Sequence, residues 1–433
     1  MVRSRPSWRL APAPRRLLDG FSPDVRRALT IDVAAAVLGV LFTALTGPFH
    51  GLYLRRELGA TPLVFSLLAS ANAGCLLLSV VLSRAVSGCH PLTAVVWCAV
   101  LARGLYLLVP LIASPWPFVG ILVGGTLLGA VGGPAQAALV QQVYRREERG
   151  RALAVVRVAA AGFGIALALA AGHLVAALGY RVVFAGAGLF GVAAALVLRR
   201  LPVPPAPPAE ASRVSRAGAA WTIVREDVAY RRLLLASFVF GGGIWLMMPA
   251  TPLLLADVLQ VTTAQVSTLA AVAAATGIAG NLLWGRLADR HSSLTTLRAV
   301  YLVGALTPLA YYAAASPWML VAATLTESLM ATGLDLVWML VVIDFAGPRR
   351  AASYAAIAAT LAGVRGVLAP LVGGILIQTA GLSAVYLAAA ALMGLGALLV
   401  SQQIRQIRQQ APFAAAQCVR IGLTRLRHAH LAR

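Results

Sequence analysis

Twelve stretches of this chain are apolar for about the length that a helix needs to cross a bilayer. They are 29–54, 62–84, 91–112, 117–143, 151–176, 181–199, 232–256, 264–285, 294–314, 319–344, 351–378 and 382–403. Inside hydrocarbon every backbone N–H and C=O must be satisfied by the segment itself or by a closed barrel. Runs of this length, with no two-residue alternation, leave only helices. The predicted fold class is therefore all-α integral membrane, with twelve transmembrane helices. Composition agrees, because 12% of residues are charged where a soluble domain carries about a quarter.

The longest polar interruption divides the spans six and six. Residues 200–231 open with LPVPPAPPAEA, which favours extended polyproline backbone. They continue as SRVSRAGAAWTIVREDVAYRR, which predicts a short amphipathic helix on the membrane surface. The expected organisation is an arm (1–28), a bundle (29–199), a linker (200–231), a second bundle (232–403) and a basic tail (404–433).

All 36 basic residues are Arg. With both termini cytoplasmic, the cytoplasmic segments hold 30 of them, and the outer loops hold Arg55, Arg56 and Arg181. Arg103, Arg157 and Arg365 fall within spans. This asymmetry sets orientation. It also accounts for the net charge of +22 as a topological signal reinforced by anionic lipid, so no nucleic-acid partner is expected. The four cysteines have neither metal-ligand nor disulfide spacing, and no metal or cofactor is expected. Residues 1–27 carry seven Arg and no compact apolar stretch with a cleavage site, so no removable signal peptide is expected.

The tetrapeptide ASPW occurs at 113–116 and again at 315–318, 202 residues on. Serine as N-cap, proline at the first helical position and tryptophan at the interface suit a tight turn into a membrane helix. The register extends further. Shifted by 202, Leu92-Thr93 lies over Leu294-Thr295 and Gly179 over Gly381; shifted by 201, residues 52–68 lie over 253–269. Two six-helix bundles with one scaffold, related by an axis along the membrane normal, are expected.

Gly285-Arg286-Leu287-Ala288-Asp289-Arg290 resembles the G-x-L-A-D-R signature of the major facilitator superfamily, and it falls after the eighth span. Gly363-Val364-Arg365-Gly366 followed by Pro370-Leu371-Val372-Gly373-Gly374 resembles that family's eleventh helix. The resemblance covers about residues 25–405. The first-half turn, Ser83-Arg84-Ala85-Val86-Ser87, lacks the Gly and the Asp, and Ala168 stands where the repeat has Pro370. That departure weakens the likeness to proton-driven drug exporters. The resemblance implies that helices one, four, seven and ten line a central cavity. It also implies a cytoplasmic latch of Gly285, Arg286, Asp289 and Arg290, with Asp289 bracing the start of helix five beside Arg149 and Arg151.

Charge within the spans marks candidate mechanism: Asp32, Glu327, Asp335, Arg103, Arg157 and Arg365. Glu327 and Asp335 stand at i and i+8 and are read as sharing one face of helix ten. Depth along the helices, about 25 Å for Glu327, 13 Å for Asp335 and 21 Å for Arg365 from their cytoplasmic ends, favours a Glu327–Arg365 pair. Such a pair is either a coupling site or a static brace. Asp32, near the start of helix one, reads first as a carboxylate favoured by the helix dipole. Gln136, Gln141, Trp245, Met248 and Trp338 lie on the presumed cavity helices and would suit an amphipathic organic substrate.

The reading reached is a secondary transporter moving a small organic molecule by alternating access, with proton-coupled efflux as its finer form. A sugar or metabolite importer of the same fold and a non-transporting sensor are the rivals. No nucleotide-binding loop or clustered catalytic residues support an ATP-driven machine or an enzyme. The expected partners are the substrate, protons and membrane lipid. The expected setting is the cytoplasmic membrane of a bacterium, as a multi-pass monomer with both termini inside.

Overall fold

The computed structural model describes residues 21–86, 90–144, 147–203 and 223–431. Most of the expected arm, Ser87 and residues 204–222, which include the first half of the expected surface helix, lie outside the described residues. Of its second half, 223–226 form a single helical turn and Val228 onward already belongs to the next membrane helix.

The described residues form twelve principal helices and no strand. In the first half the helices are α1 (Pro23–Thr46), α2 (Pro62–Val86), α3 (Pro91–Gly104), α4 (Pro115–Val143), α5 (149–178) and α6 (180–198). In the second they are α7 (Val228–Met247), α8 (Thr263–Arg290), α9 (Ser293–Tyr312), α10 (320–346), α11 (348–380) and α12 (382–431). Successive helices are divided at Gly179, Gly347 and Gly381, whose φ values are 77°, 64° and 83°. Only glycine sits there without steric cost. Gly179 and Gly381 are the pair that the repeat superposes, so the same hinge is built twice.

α1 begins six residues before the apolar run. Pro23 starts it at the position where a missing N–H costs nothing, and Arg26 and Arg27 occupy the first turns that hydropathy excludes. Ser22 then ties the helix start to α5, donating from its N–H (3.2 Å) and its hydroxyl (3.1 Å) to Glu148. α3 is shorter than its apolar run and ends in a 3₁₀ turn, Leu105–Leu111, around Pro110.

The repeat is carried into backbone detail at the end of each half's first helix. α1 runs on into a π-helical turn at Tyr53–Glu57, and α7 into one at Leu254–Val258. Leu58 N–H reaches Tyr53 O (3.2 Å) as Leu259 N–H reaches Leu254 O (2.9 Å). A left-handed residue follows in each, Gly59 (φ 65°) and Gln260 (φ 46°). The ASPW turns also match. Ser114 and Ser316 are extended and each precedes a helix-starting proline. Trp116 and Trp318 are 54% and 64% exposed, as interface anchors require. The expected side-chain caps are not formed: neither serine hydroxyl bonds the first turn.

The two halves meet at the face opposite the arginine-rich one, here called the far face. One apolar core runs across both halves there and includes Phe49, Tyr53 and Phe118 with Met247, Val266 and Tyr386. A Cβ on Gly172 of α5 would run into the Thr263 carbonyl and the Ser267 hydroxyl of α8, and one on Gly51 would sit 2.9 Å from Pro252. Arg55 and Asp257 close the seam with an ion pair at 2.9 Å. On α2 and α11 the Ser70 hydroxyl donates to the Val367 carbonyl at 2.8 Å. Toward the arginine-rich face the cores separate. Phe21, Val25, Leu29, Tyr144 and Ala152 pack within the first half, and Tyr230, Leu297, Val341 and Tyr354 within the second.

Candidate functional site

Each half encloses a cavity against its first and fourth helices. The first, about 850 Å³, is lined from α1, α2, α3, α4, α5 and α6 and includes Asp32, Asn72, Arg103, Thr126 and Gln136 among mostly apolar walls. The second, about 430 Å³, is lined from α7, α9, α10 and α11 and includes Tyr301, Asp335, Trp338 and Arg365. The repeat relates them. Gln136 and Trp338 occupy equivalent positions in the two halves and each lines its own cavity, as do Gly133 and Asp335.

The expected Glu327–Arg365 pair is not formed. Glu327 accepts the Tyr311 hydroxyl at 2.6 Å, and Tyr311 stacks on Tyr386 of α12 at 5.6 Å. Arg365 instead donates to the Ser237 carbonyl of α7 and lies against Gly241, where any Cβ would collide with the guanidinium. Depth is the wrong coordinate for this pair. At 3.6 residues per turn, eight residues leave about 80° of rotation between Glu327 and Asp335. Glu327 therefore points into the packed interior of its half, while Asp335 is exposed on the cavity that Arg365 also lines.

Asp32 is also placed differently from its expectation. With α1 starting at Pro23 it lies about 13 Å into the helix, beyond the first turn where the dipole acts. It takes the Tyr144 hydroxyl at 2.7 Å and lines the larger cavity. Gln136 lines that cavity too, but Gln141 is exposed near the end of α4 and its carbonyl accepts from Arg149 (3.1 Å). Trp245 packs at the crossing of α2, α7 and α11: a Cβ on Gly366 would sit 3.3 Å from its ring and 2.7 Å from Ala73.

The signature residues end α8. Arg286, Asp289 and Arg290 are exposed there, and Gly285 has open space around it. Arg149 donates to the carbonyls of Gln141 and Tyr144 (3.1 and 3.2 Å), and Arg151 lies 5.1 Å over the Phe21 ring.

Arg103 lies in the larger cavity. Its Nη1 donates to the Gly191 carbonyl of α6 at 2.9 Å, and its guanidinium lies 5.8 Å over the Phe42 ring of α1. Gly191 is what admits the side-chain stem, since a Cβ there would sit 2.8 Å from Arg103 Cδ. A guanidinium at mid-membrane costs roughly 2.5–3.5 kcal/mol on the translocon scale. A net hydrogen bond from a charged donor returns about 1.5–3 kcal/mol. One carbonyl therefore offsets the cost only in part. Asp32 is the carboxylate lining the same cavity. It stands two helical turns from Gly39, about 10 Å along α1.

The reading from sequence did not anticipate the tyrosine and histidine partners. Tyr106 and His50 share a hydrogen bond (3.0 Å) in the first half, and Tyr311 donates to Glu327 in the second. The available signal was polar aromatic residues inside apolar runs near the far-face ends. Among the described residues no cluster of three His, Cys, Asp or Glu side chains could hold a metal.

The family model of the Major Facilitator Superfamily matches this chain twice, over residues 33–247 and again over 233–416. The chain belongs to the major facilitator superfamily. Its fold is that of solved superfamily transporters. The nucleoside transporter NupG matches with a TM-score of 0.64 at 12% identity, covering 87% of this chain and 99% of that one. A bacterial homologue of the human lysosomal transporter Spinster, inward-facing and occupied, matches with a TM-score of 0.63 at 15% identity, covering 89% and 98%. No curated protein matches the sequence. A superfamily member of this architecture is a transporter rather than an enzyme.

Proposed function

We propose that this transporter moves a small organic molecule across the cytoplasmic membrane by alternating access, with protons as the coupling ion and export as the direction. The observation that carries the reading is the asymmetry between the two faces. The halves share one apolar core at the far face and hold separate cores toward the arginine-rich face. That asymmetry supports a transporter open on one side, and the arginine bias supports placing that side in the cytoplasm.

In this reading the segments 29–199 and 232–403 rock as two units, joined by the cytoplasmic linker 200–231 and flanked by the arm 1–28 and the tail 404–433. Asp335 is the coupling carboxylate, because it is exposed on a cavity that the mid-membrane charge of Arg365 also lines. Glu327 is a structural carboxylate, held by Tyr311. Asp289, with Gly285, Arg286 and Arg290, becomes a latch against Arg149 and Arg151 when the halves close on the cytoplasmic side. The protein acts as a monomer within anionic lipid.

Reconstitution into proteoliposomes tests this. A panel of amphipathic organic solutes should include one whose flux depends on an imposed proton gradient and collapses with an ionophore. Flux that ignores the gradient removes the coupling. No flux for any class, with correctly folded protein, removes the transport of organic solutes.

A further inference from the structure

Arg103 and Arg365 do not correspond in the repeat. One is on α3, the other on α11, and the register that superposes the halves places Ala305 and Phe163 opposite them. Yet their guanidinium groups arrive at equivalent places. A Cβ on Gly39 of α1 would lie 3.9 Å from Arg103 Nη2, and a Cβ on Gly241 of α7 would collide with the Arg365 guanidinium. Gly39 and Gly241 are equivalent positions in that register. Each lies near the middle of its span, Val25–Glu57 and Val228–Val258. A positive charge at mid-depth against the first helix is thus supplied twice, by different letters. Shared scaffold does not explain that, but a shared requirement at this level does.

Both guanidinium groups are held by backbone carbonyls, Gly191 O and Ser237 O. Around Arg103 the cavity, at about 850 Å³, is large enough for a drug-sized molecule. Gly191 uses one N–H of the arginine, which leaves the rest of the fork available. The Asp32 carboxylate is already engaged by Tyr144. Asn72 also lines the space, and its buried amide oxygen has no partner, so the amide can turn to donate to a bound group. Most of the remaining wall is apolar.

We infer that the larger cavity is a binding site for an amphipathic organic anion, with Arg103 as its counter-charge. The transport reading is needed only to call that anion a substrate; the site itself is a claim about binding. The anionic head takes the free side of the Arg103 guanidinium, and the apolar body lies along α4, where Gly129 and Gly133 keep the wall shallow.

The test uses the full chain in detergent and three matched probes: 2-naphthoate, 2-naphthamide and 2-naphthylmethylammonium. Calorimetric titration should show saturable binding of the naphthoate and at least ~10-fold weaker binding of the other two. Arg103→Gln should weaken naphthoate binding ~10-fold or more, and Arg103→Lys should restore most of it. Gly129→Leu provides a second variant if Arg103→Gln does not fold. Gly129 lines the cavity and a Cβ there meets nothing within 4 Å, so the added side chain enters the binding space and should abolish binding. Equal affinity for the amide or the ammonium probe overturns the inference, as does naphthoate binding unchanged in both Arg103→Gln and Gly129→Leu. Naphthoate binding without flux in proteoliposomes sinks the transport reading and leaves the anion site standing. Flux of the ammonium probe without naphthoate binding does the reverse.

Discussion

Arg55 and Asp257 stand 202 residues apart in the chain, and the arginine Nε lies 2.9 Å from both carboxylate oxygens. Each belongs to the π-helical turn that the repeat builds in its half, so the pair sits across the pseudo-symmetry axis at the far face. The side chains are 31% and 40% exposed. An ion pair this wet contributes up to about 1 kcal/mol. That magnitude suits a contact that must break in every transport cycle.

Arg55→Gln should therefore raise the far-face-open population by up to about fivefold. Distances between spin labels across the α1 and α7 ends would report it. The exchanged pair, Arg55→Asp with Asp257→Arg, should return the population toward the starting value. Unchanged distances in Arg55→Gln would show the pair to be idle.

Tyr311→Phe should destabilise the protein by about 1–3 kcal/mol, because it strands the Glu327 carboxylate without its donor in a packed interior. Glu327→Gln keeps an acceptor for the tyrosine and removes the charge, so it should cost less and leave flux intact. Thermal unfolding in detergent orders the two. A Glu327→Gln variant that is stable but uncoupled would return Glu327 to the mechanism.

Asp335→Asn should abolish gradient-driven flux while leaving solute exchange across the membrane, since the residue faces the cavity without serving as a packing element. Proteoliposomes with and without a proton gradient separate the two. Gradient-driven flux that survives in the variant would move the coupling elsewhere.

Gly172→Val should hold the far face open. Its side chain would occupy the space of the Thr263 carbonyl and the Ser267 hydroxyl, both on the opposite half. A backbone carbonyl cannot rotate away as a flexible side-chain tip can. Labelling of Cys98, which lines the larger cavity, by a membrane-impermeant thiol reagent added from the far side should rise. No rise would mean that α5 and α8 accommodate the methyl groups by shifting.

Asp289→Asn should deplete the far-face-open state, in which the α8 end would meet Arg149 and Arg151. The same spin-label distances would follow it, and unchanged populations would leave Asp289 as a solvated charge at a helix end.

The spans, their number, their grouping in two sets of six and the arginine bias were all legible in the letters. Transfer into hydrocarbon is nearly a per-residue free energy, so a sum along the chain recovers it. The repeat was legible for a related reason. Gly179 and Gly381 mark positions where the backbone itself tolerates no other residue easily, and such positions survive as letters. Ser114 and Ser316 show the limit. Their letters match and their backbones match, yet neither hydroxyl makes the cap its type suggests.

Which way each buried charge points was decided only by the tertiary structure. Glu327 and Asp335 differ by about 80° around one helix, and that rotation sends one to Tyr311 and the other to a cavity. Arg103 and Arg365 reach equivalent glycines from helices that the repeat does not relate. Depth follows from counting residues, because the helix rise is constant. Azimuth and partner depend on which neighbouring helix leaves room, at Gly191 for one arginine and at Gly241 for the other, and room is a property of packing.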